Sequence, residues 1–408
     1  MKILLISDVD VESGRGPVTR LASVLPELSR RAEVVVGMLG EADETCRRAV
    51  ETSQVRAHPL PFAMRGWNVV DLPGLVGRIE GLVRHERPDL VVLYREIWDL
   101  MHALPPVLAR AGVPFLVMPH SVPFLDAMAR PTRSFAWDLC RRVATERRGH
   151  ALRYLLTHVH QVRLLRTLPR VMINQTVSVY LHGYFPQAPT VHALPGYAVD
   201  LDAIRSAADV EKTYDVAFMA KLTAGKGLFH LLDVMRRLRR LRPEARMIVI
   251  GSFENAAVER KFLAARDRYG LRDAIHLAGW LTGEEKYRAL GSARTFCYPS
   301  ISADTFSLCL LEALAGGLPA VCYDVPFTRA VYGTTPAVRR VPFASRSLMA
   351  GELHTLLAAH TLESASTAAT EFATGYSSWG AVADAELAAY GNFLGLVGAE
   401  PRAETEHR

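Results

Sequence analysis

Between Asp304 and Leu314 the sequence reads DTFSLCLLEAL, which sets two carboxylates, Asp304 and Glu312, eight residues apart around an apolar run. An unpartnered charge among leucines is costly to bury, so Glu312 marks a place where something must answer a carboxylate. Upstream, Lys221 and Lys226 bracket a glycine-bearing turn in AKLTAGKG. The chain has six lysines (2, 212, 221, 226, 261 and 286) against forty-two arginines, and two of the six fall in this one loop. Where arginine is so favoured, a retained lysine points to a compact positive charge of the kind that holds a phosphate. Two solvated loop lysines are the plainer alternative. Near the start, LLISDVDVESGRGPVTRLASVL places Gly14 and Gly16 at the opening of a helix whose Val18, Leu21, Leu25 and Leu28 have helical spacing. Amides at such a helix start can donate to an anion or a sugar hydroxyl, although a lone GxG also describes an ordinary loop.

The elements that must position these residues follow from the apolar runs. KILLIS, AEVVVGML, DLVVLY, VPFLVMP and RVMI are separated by helix-length segments. They are rich in Val, Ile and Leu on both faces, as buried parallel strands are. After Pro195-Gly196 the alternation restarts with YDVAFMA, RMIVIG, AIHLAG, RTFCYP and PAVCYD. Two alternating halves predict an α/β protein of two doubly wound, Rossmann-like domains. The Pro- and Gly-rich FPQAPTVHALPGYAVD puts the boundary near residue 190, giving domains over 1–190 and 191–375. A closing helix is expected over 376–398, and the tail from 399 to 408 reads as disordered.

Composition narrows the class. Half of the 408 residues are hydrophobic, enough for large cores. No apolar run approaches the ~18 residues of a membrane span, and MKILLISDVD reads as a strand followed by acids rather than a signal peptide. Five scattered cysteines carry neither a metal nor a disulfide signature, so reduced thiols in the cytoplasm are expected. Between Ala129 and Arg170 ten arginines face two acids, a local balance of +8 against +6 for the whole chain. This stretch lacks the aromatic interleaving of a nucleic-acid motif. It reads either as a solvated helix face or as a peripheral contact with an anionic membrane, at its inner face, or with an acceptor.

Taken together, AKLTAGKG, AGWLTGEEKYRALGSARTFCYPS and DTFSLCLLEALAGGLPAVCYDV resemble, in order and spacing, the family-4 retaining glycosyltransferases of the GT-B fold. That family's pattern reads GRL-x3-KG, LG-x-V and PS-x3-EGFG-x4-EA-x-A-x-G-x-PV. YSSWGAVADAELAAY is similar to the closing helix with which the family returns to its first domain. The resemblance runs over nearly the whole chain and is most specific from Asp215 to Val325.

The resemblance implies a hexosyltransferase-type enzyme moving a sugar from a nucleotide-diphosphate donor, UDP or GDP, to an acceptor hydroxyl with retention. The acceptor would be a small molecule, a glycan or a lipid-linked group. Lys221 and Lys226 would hold the diphosphate and Glu312 the ribose. Asp304 would touch the transferred sugar, with the amides of Phe306, Ser307 and Leu308 facing it and the diphosphate. Trp280 and Leu281 occupy the segment whose backbone reads the base, and Gly14 and Gly16 the loop under the diphosphate. His120, ending the strand in FLVMPHSVPF, matches a histidine beside the reacting sugar, although a strand-end histidine is often satisfied by backbone. Arg95 and Glu96, also at a strand end, join His120 as acceptor candidates. Cations on the phosphates and carboxylates on vicinal hydroxyls suit a nucleotide diphosphate in a cleft between two such domains. No metal or cofactor is then expected. The chain departs from the pattern where Lys221 replaces an arginine, Asp304 replaces a glutamate, and TFS replaces GFG. These changes bear on which sugar is carried. The other readings are a same-fold nucleotide-sugar 2-epimerase and a sugar-binding protein without catalysis.

Overall fold

The computed structural model describes residues 1–8, 16–40, 50–53, 55–65, 68–94, 97–118, 171–173, 190–192, 195–301 and 306–399. Gly14, Arg95, Glu96, His120, Asp304, the basic stretch from Ala129 to Arg170 and the tail beyond 399 lie outside the described residues.

The chain divides into two compact units. Among the described residues the first takes the chain through Tyr197 and again from Trp379, and the second is the continuous stretch Ala198–Ser378. The first unit is built on β1 (Lys2–Asp8), β2 (Glu33–Leu39), β3 (Arg56–Leu60), β6 (Leu90–Leu93), β7 (Phe115–Val117), β8 (Val171–Ile173) and β9 (Thr190–His192), with a small hairpin of β4 (Met64–Arg65) and β5 (Asn68–Val69). The sheet runs β3-β2-β1-β6-β7-β8-β9, and its paired strands are parallel. Val, Ile and Leu fill both faces because helices cover both: Ile3 to Ile6 and Leu90 to Leu93 are all fully buried.

The expected boundary at 190/191 falls instead at Tyr197/Ala198, and the return at 375/376 falls at Ser378/Trp379. A buried ion pair explains the first shift. Arg20, on the Gly16–Ser29 helix, is paired with Glu386 of the Trp379–Ala399 helix, and both are completely buried. Arg20 Nε also donates to the Gly196 carbonyl oxygen at 2.6 Å, and its guanidinium lies 5.3 Å from the centre of the Tyr197 ring. The Tyr390 hydroxyl donates to Glu386 Oε2 at 3.1 Å and that of Tyr94 to Oε1 at 3.4 Å. Burial, with the charge of Glu386 beside it, pushes the Tyr390 phenol well up. Residues 196 and 197 therefore belong to the first unit's core. Removing one partner of such a pair would strand the other without compensation.

The second unit holds β10 (Tyr214–Met219), β11 (Met247–Ile250), β12 (Ile275–Gly279), β13 (Ala293–Tyr298), β14 (Ala320–Tyr323) and β15 (Val338–Val341), parallel throughout and ordered β12-β11-β10-β13-β14-β15. Its central strands are buried along most of their length, with Val216, Ala217, Phe218, Val249, Phe296 and Cys297 fully enclosed. Packing against them are the Leu228–Leu241 helix, whose Leu231, Met235 and Leu238 are buried, and the Leu308–Ala315 helix, which buries Leu310 and Leu314.

Candidate active site

The strand order of the second unit fixes where a ligand can sit. From β10 the chain moves outward through β11 to β12, then returns to the other flank of β10 for β13 and moves outward again through β14 and β15. The connections leaving β10 and β13 therefore diverge to opposite sides, and the crevice at the carboxyl ends of such strands is where open α/β sheets bind ligands. Lys221 and Lys226 lie on the connection after β10, and Glu312 on the helix that follows β13.

These two connections touch. Ile301 N donates to the Gly225 carbonyl oxygen at 2.9 Å. Gly227 has φ of 79°, and a Cβ there would lie 1.9 Å from the Pro299 carbonyl oxygen. Only glycine permits both that left-handed backbone and that approach. Within the loop, Thr223 N donates to Lys221 O at 2.9 Å, Gly227 N to Ala224 O at 3.0 Å, and Lys226 N to Thr223 Oγ1 at 3.2 Å. The lysine loop is thus a tight, internally bonded turn. Both lysine side chains are half-buried.

On the other side of the switch, Ser307 is the N-cap of the Leu308–Ala315 helix. Its hydroxyl accepts from Leu310 N at 3.2 Å, and its carbonyl accepts from the Tyr332 hydroxyl at 2.9 Å. The Ser307 side chain is therefore occupied in holding the helix start, a cap worth about 1 kcal/mol. Phe306 sits between the rings of Tyr332 and Tyr376, at 6.0 and 6.1 Å, which fixes the approach to that helix. Leu308 opens its first turn, where backbone amides point outward with the positive end of the helix dipole. Trp280 and Leu281 follow β12, and the Trp280 indole is 57% exposed.

Glu312 has partners that its sequence neighbourhood does not reveal. Lys286 Nζ lies 2.7 Å from Glu312 Oε1, and the Tyr287 hydroxyl lies 3.5 Å from the same atom. Both come from the Gly283–Gly291 helix after β12. Burial works against the charge on Lys286, but the adjacent Glu312 carboxylate outweighs it and holds the ammonium above its ordinary range. Burial, followed by the charge of Glu312, raises the Tyr287 phenol, so it stays protonated and able to donate. The lysine scarcity that singled out Lys221 and Lys226 applies equally to Lys286 and was the one sequence signal that pointed to it.

The structure thus groups Lys221, Lys226, Phe306, Ser307, Leu308, Glu312, Trp280 and Leu281 on the carboxyl-end connections of one sheet. Gly16 begins the first helix of the other unit. Gly14, Arg95, Glu96, His120 and Asp304 are outside the described residues.

The family model for glycosyl transferases group 1 matches residues 202–335, the stretch that contains this switch point. That match spans about a third of the chain, and over it the sequence is similar to the group 1 glycosyl transferases. A phosphatidyl-myo-inositol mannosyltransferase of Mycobacterium leprae is 26% identical over 165 residues, 40% of this chain and 42% of that protein. An MMP alpha-(1->4)-mannosyltransferase of Mycolicibacterium hassiacum is 26% identical over 163 residues, 40% of this chain and 38% of that one. The chain therefore spans about two fifths of the length of the curated relatives it matches. Among solved structures, Anabaena HepE in complex with UDP and glucose superposes with a TM-score of 0.68 at 14% identity, over 96% of this chain and 100% of that one. The likeness extends across both units, and the fold is GT-B.

Proposed function

We propose that this chain is a group 1 glycosyl transferase that moves a hexose from a nucleotide-diphosphate sugar to an acceptor hydroxyl, with retention of configuration and without a metal. The observation that carries the reading is the junction at the switch point, where the two-lysine loop is bonded to the connection that leads into the Glu312 helix. Lys221 and Lys226 would neutralise the diphosphate and the charge that grows on it as the sugar leaves, which is electrostatic stabilisation where charge develops. Glu312 would accept from the ribose hydroxyls and Asp304 from the transferred sugar. The amides at Phe306 to Leu308 would face the sugar and diphosphate, the Trp280–Leu281 backbone would read the base, and Gly14 and Gly16 would support the diphosphate. As the anomeric C–O bond to phosphate breaks, the departing phosphate oxygen takes the acceptor hydroxyl's proton, and the new C–O bond forms on the same face. His120 would stand beside the reacting carbon.

The two mannosyltransferase relatives make mannose the first sugar to test, and the UDP in the HepE complex keeps uridine donors in the set. The inositol lipid named for one relative makes a lipid-linked acceptor the first class to try. Among the described residues no helix is long and apolar enough to cross a membrane. We place the meeting with such an acceptor at a cytoplasmic membrane surface. The test is a thermal-shift panel over UDP, GDP, ADP and dTDP sugars, followed by nucleotide release with lipid extracts as acceptor, with and without EDTA. Stabilisation by one donor class and chelator-resistant release are expected. No shift with any donor would overturn the reading. Release abolished by EDTA and restored by manganese or magnesium would overturn its metal-free part.

A further inference from the structure

Lys286 and Glu312 come from different connections of the sheet, one after β12 and the other after β13, yet their side chains meet at 2.7 Å in a half-buried setting. Their side chains are 21% and 13% exposed, so the contact is shielded enough to be worth more than a surface pair. Both described contacts to the carboxylate, from Lys286 and from Tyr287, fall on Oε1, and no described contact falls on Oε2. Tyr287 itself packs against the buried cluster that includes Ile204, Leu311 and Ala315. The Lys286 ammonium lies 4.4 Å from the centre of the Tyr287 ring, which keeps it on the Oε1 side.

We propose that Lys286 is the positioning residue for Glu312, clamping Oε1 so that Oε2 is presented to the ribose of the nucleotide. The inference rests on the nucleotide-sugar reading above and adds to it a residue that sets how the ribose is recognised. The choice of lysine supports it. In a chain with forty-two arginines, an arginine here would form a two-pronged pair and cover both carboxylate oxygens. A lysine is a single point charge that takes one oxygen and leaves the other.

The test compares wild type with Lys286→Met and Lys286→Arg by calorimetry, using UDP and GDP and their 2′-deoxy counterparts, with thermal melts to confirm that each variant is folded. Wild type should prefer the ribonucleotide by about tenfold or more, the loss expected when a hydrogen bond to a charged group is removed. That preference should collapse towards unity in both variants: in Lys286→Met because the carboxylate is no longer held, and in Lys286→Arg because Oε2 is covered. A pair that only braces two helices would lower the melting temperature of Lys286→Met, keep it in Lys286→Arg, and leave the ribose preference of both unchanged. That outcome, with wild type binding normally, would overturn this inference alone. Wild type binding neither nucleotide would overturn this inference as stated for UDP and GDP, and the donor reading falls with it if no donor of the thermal-shift panel binds either.

Discussion

Gly227→Ala is the sharpest probe of how the second unit assembles its site. The residue stands at φ of 79°, and an added Cβ would meet the Pro299 carbonyl oxygen at 1.9 Å, where contacts under 3.0 Å are essentially never seen. Two costs arise. The left-handed backbone disfavours a side chain by roughly 1–2 kcal/mol. The clash is with backbone, so it is relieved only if the lysine loop and the connection after β13 part by about an ångström. For a unit of this size 1 kcal/mol moves the melting temperature by about 2–4 °C, so the conformational cost alone should lower it by about 2–8 °C. A misplacement of about 1 Å in a site that works by positioning can cost on the order of 100-fold in turnover. Gly270→Ala is the matched control: its φ is 65°, but nothing lies within 4 Å of the added Cβ. It should show the melting loss and keep full turnover. Differential scanning fluorimetry and nucleotide-release rates on the three proteins decide the matter. Wild-type turnover in Gly227→Ala, or an equal fall in Gly270→Ala, would refute the argument that this close approach sets the geometry of the site.

Three further outcomes are expected. Glu312→Ala should weaken binding of the bare nucleotide by about 1.5–3 kcal/mol, while Asp304→Ala should leave that affinity nearly unchanged and lower turnover. Equal losses of nucleotide affinity in calorimetry of the two would contradict this division of labour. Glu86 is 2% exposed on its side chain and 2.8 Å from Lys2 Nζ. The hydrogen bond from Lys2, ahead of that from His58, holds its carboxyl below the ordinary 4.5. A depressed carboxyl adds stability above its unfolded pKa and loses it as pH falls through the folded one, so urea midpoints should drop below about pH 4.5 and Glu86→Gln should flatten that slope. Arg20→Met should destabilise the first unit by about 3–5 kcal/mol, and pairing it with Glu386→Leu should recover most of the loss; an unchanged urea midpoint in the single variant would count against the buried pair.

The sequence made the central strands legible because residues such as those of KILLIS and RMIVIG must be apolar on both faces. Two of the edge strands hid for the opposite reason. RAHPL of β3 and VRRV of β15 each leave part of their length to solvent, so their residues are mixed. The sequence drew attention to Lys221 and Lys226 because two of six lysines fall in one connection, and to Glu312 because it is an acid in an apolar run. The site was not legible where two connections converge. Lys286 and Glu312 are 26 residues apart, and no local spacing links them. Ser307 shows a third case: the sequence marks it only as a change from the family pattern, while its hydroxyl caps its own helix.

The Arg20–Glu386 pair joins residues 366 apart in the chain, and its consequence is one of timing. Among the described residues the second unit is a continuous stretch from Ala198 to Ser378, so it can close its core once that stretch has left the ribosome. The first unit cannot. Until the Trp379–Ala399 helix has been synthesised, Arg20 has no carboxylate and the face of the Gly16–Ser29 helix that this last helix covers stays open. Biosynthesis therefore leaves the first unit's sheet waiting for a helix made after the whole Ala198–Ser378 stretch. A nascent chain stalled before residue 379 should expose a protease-sensitive first unit beside a resistant second one.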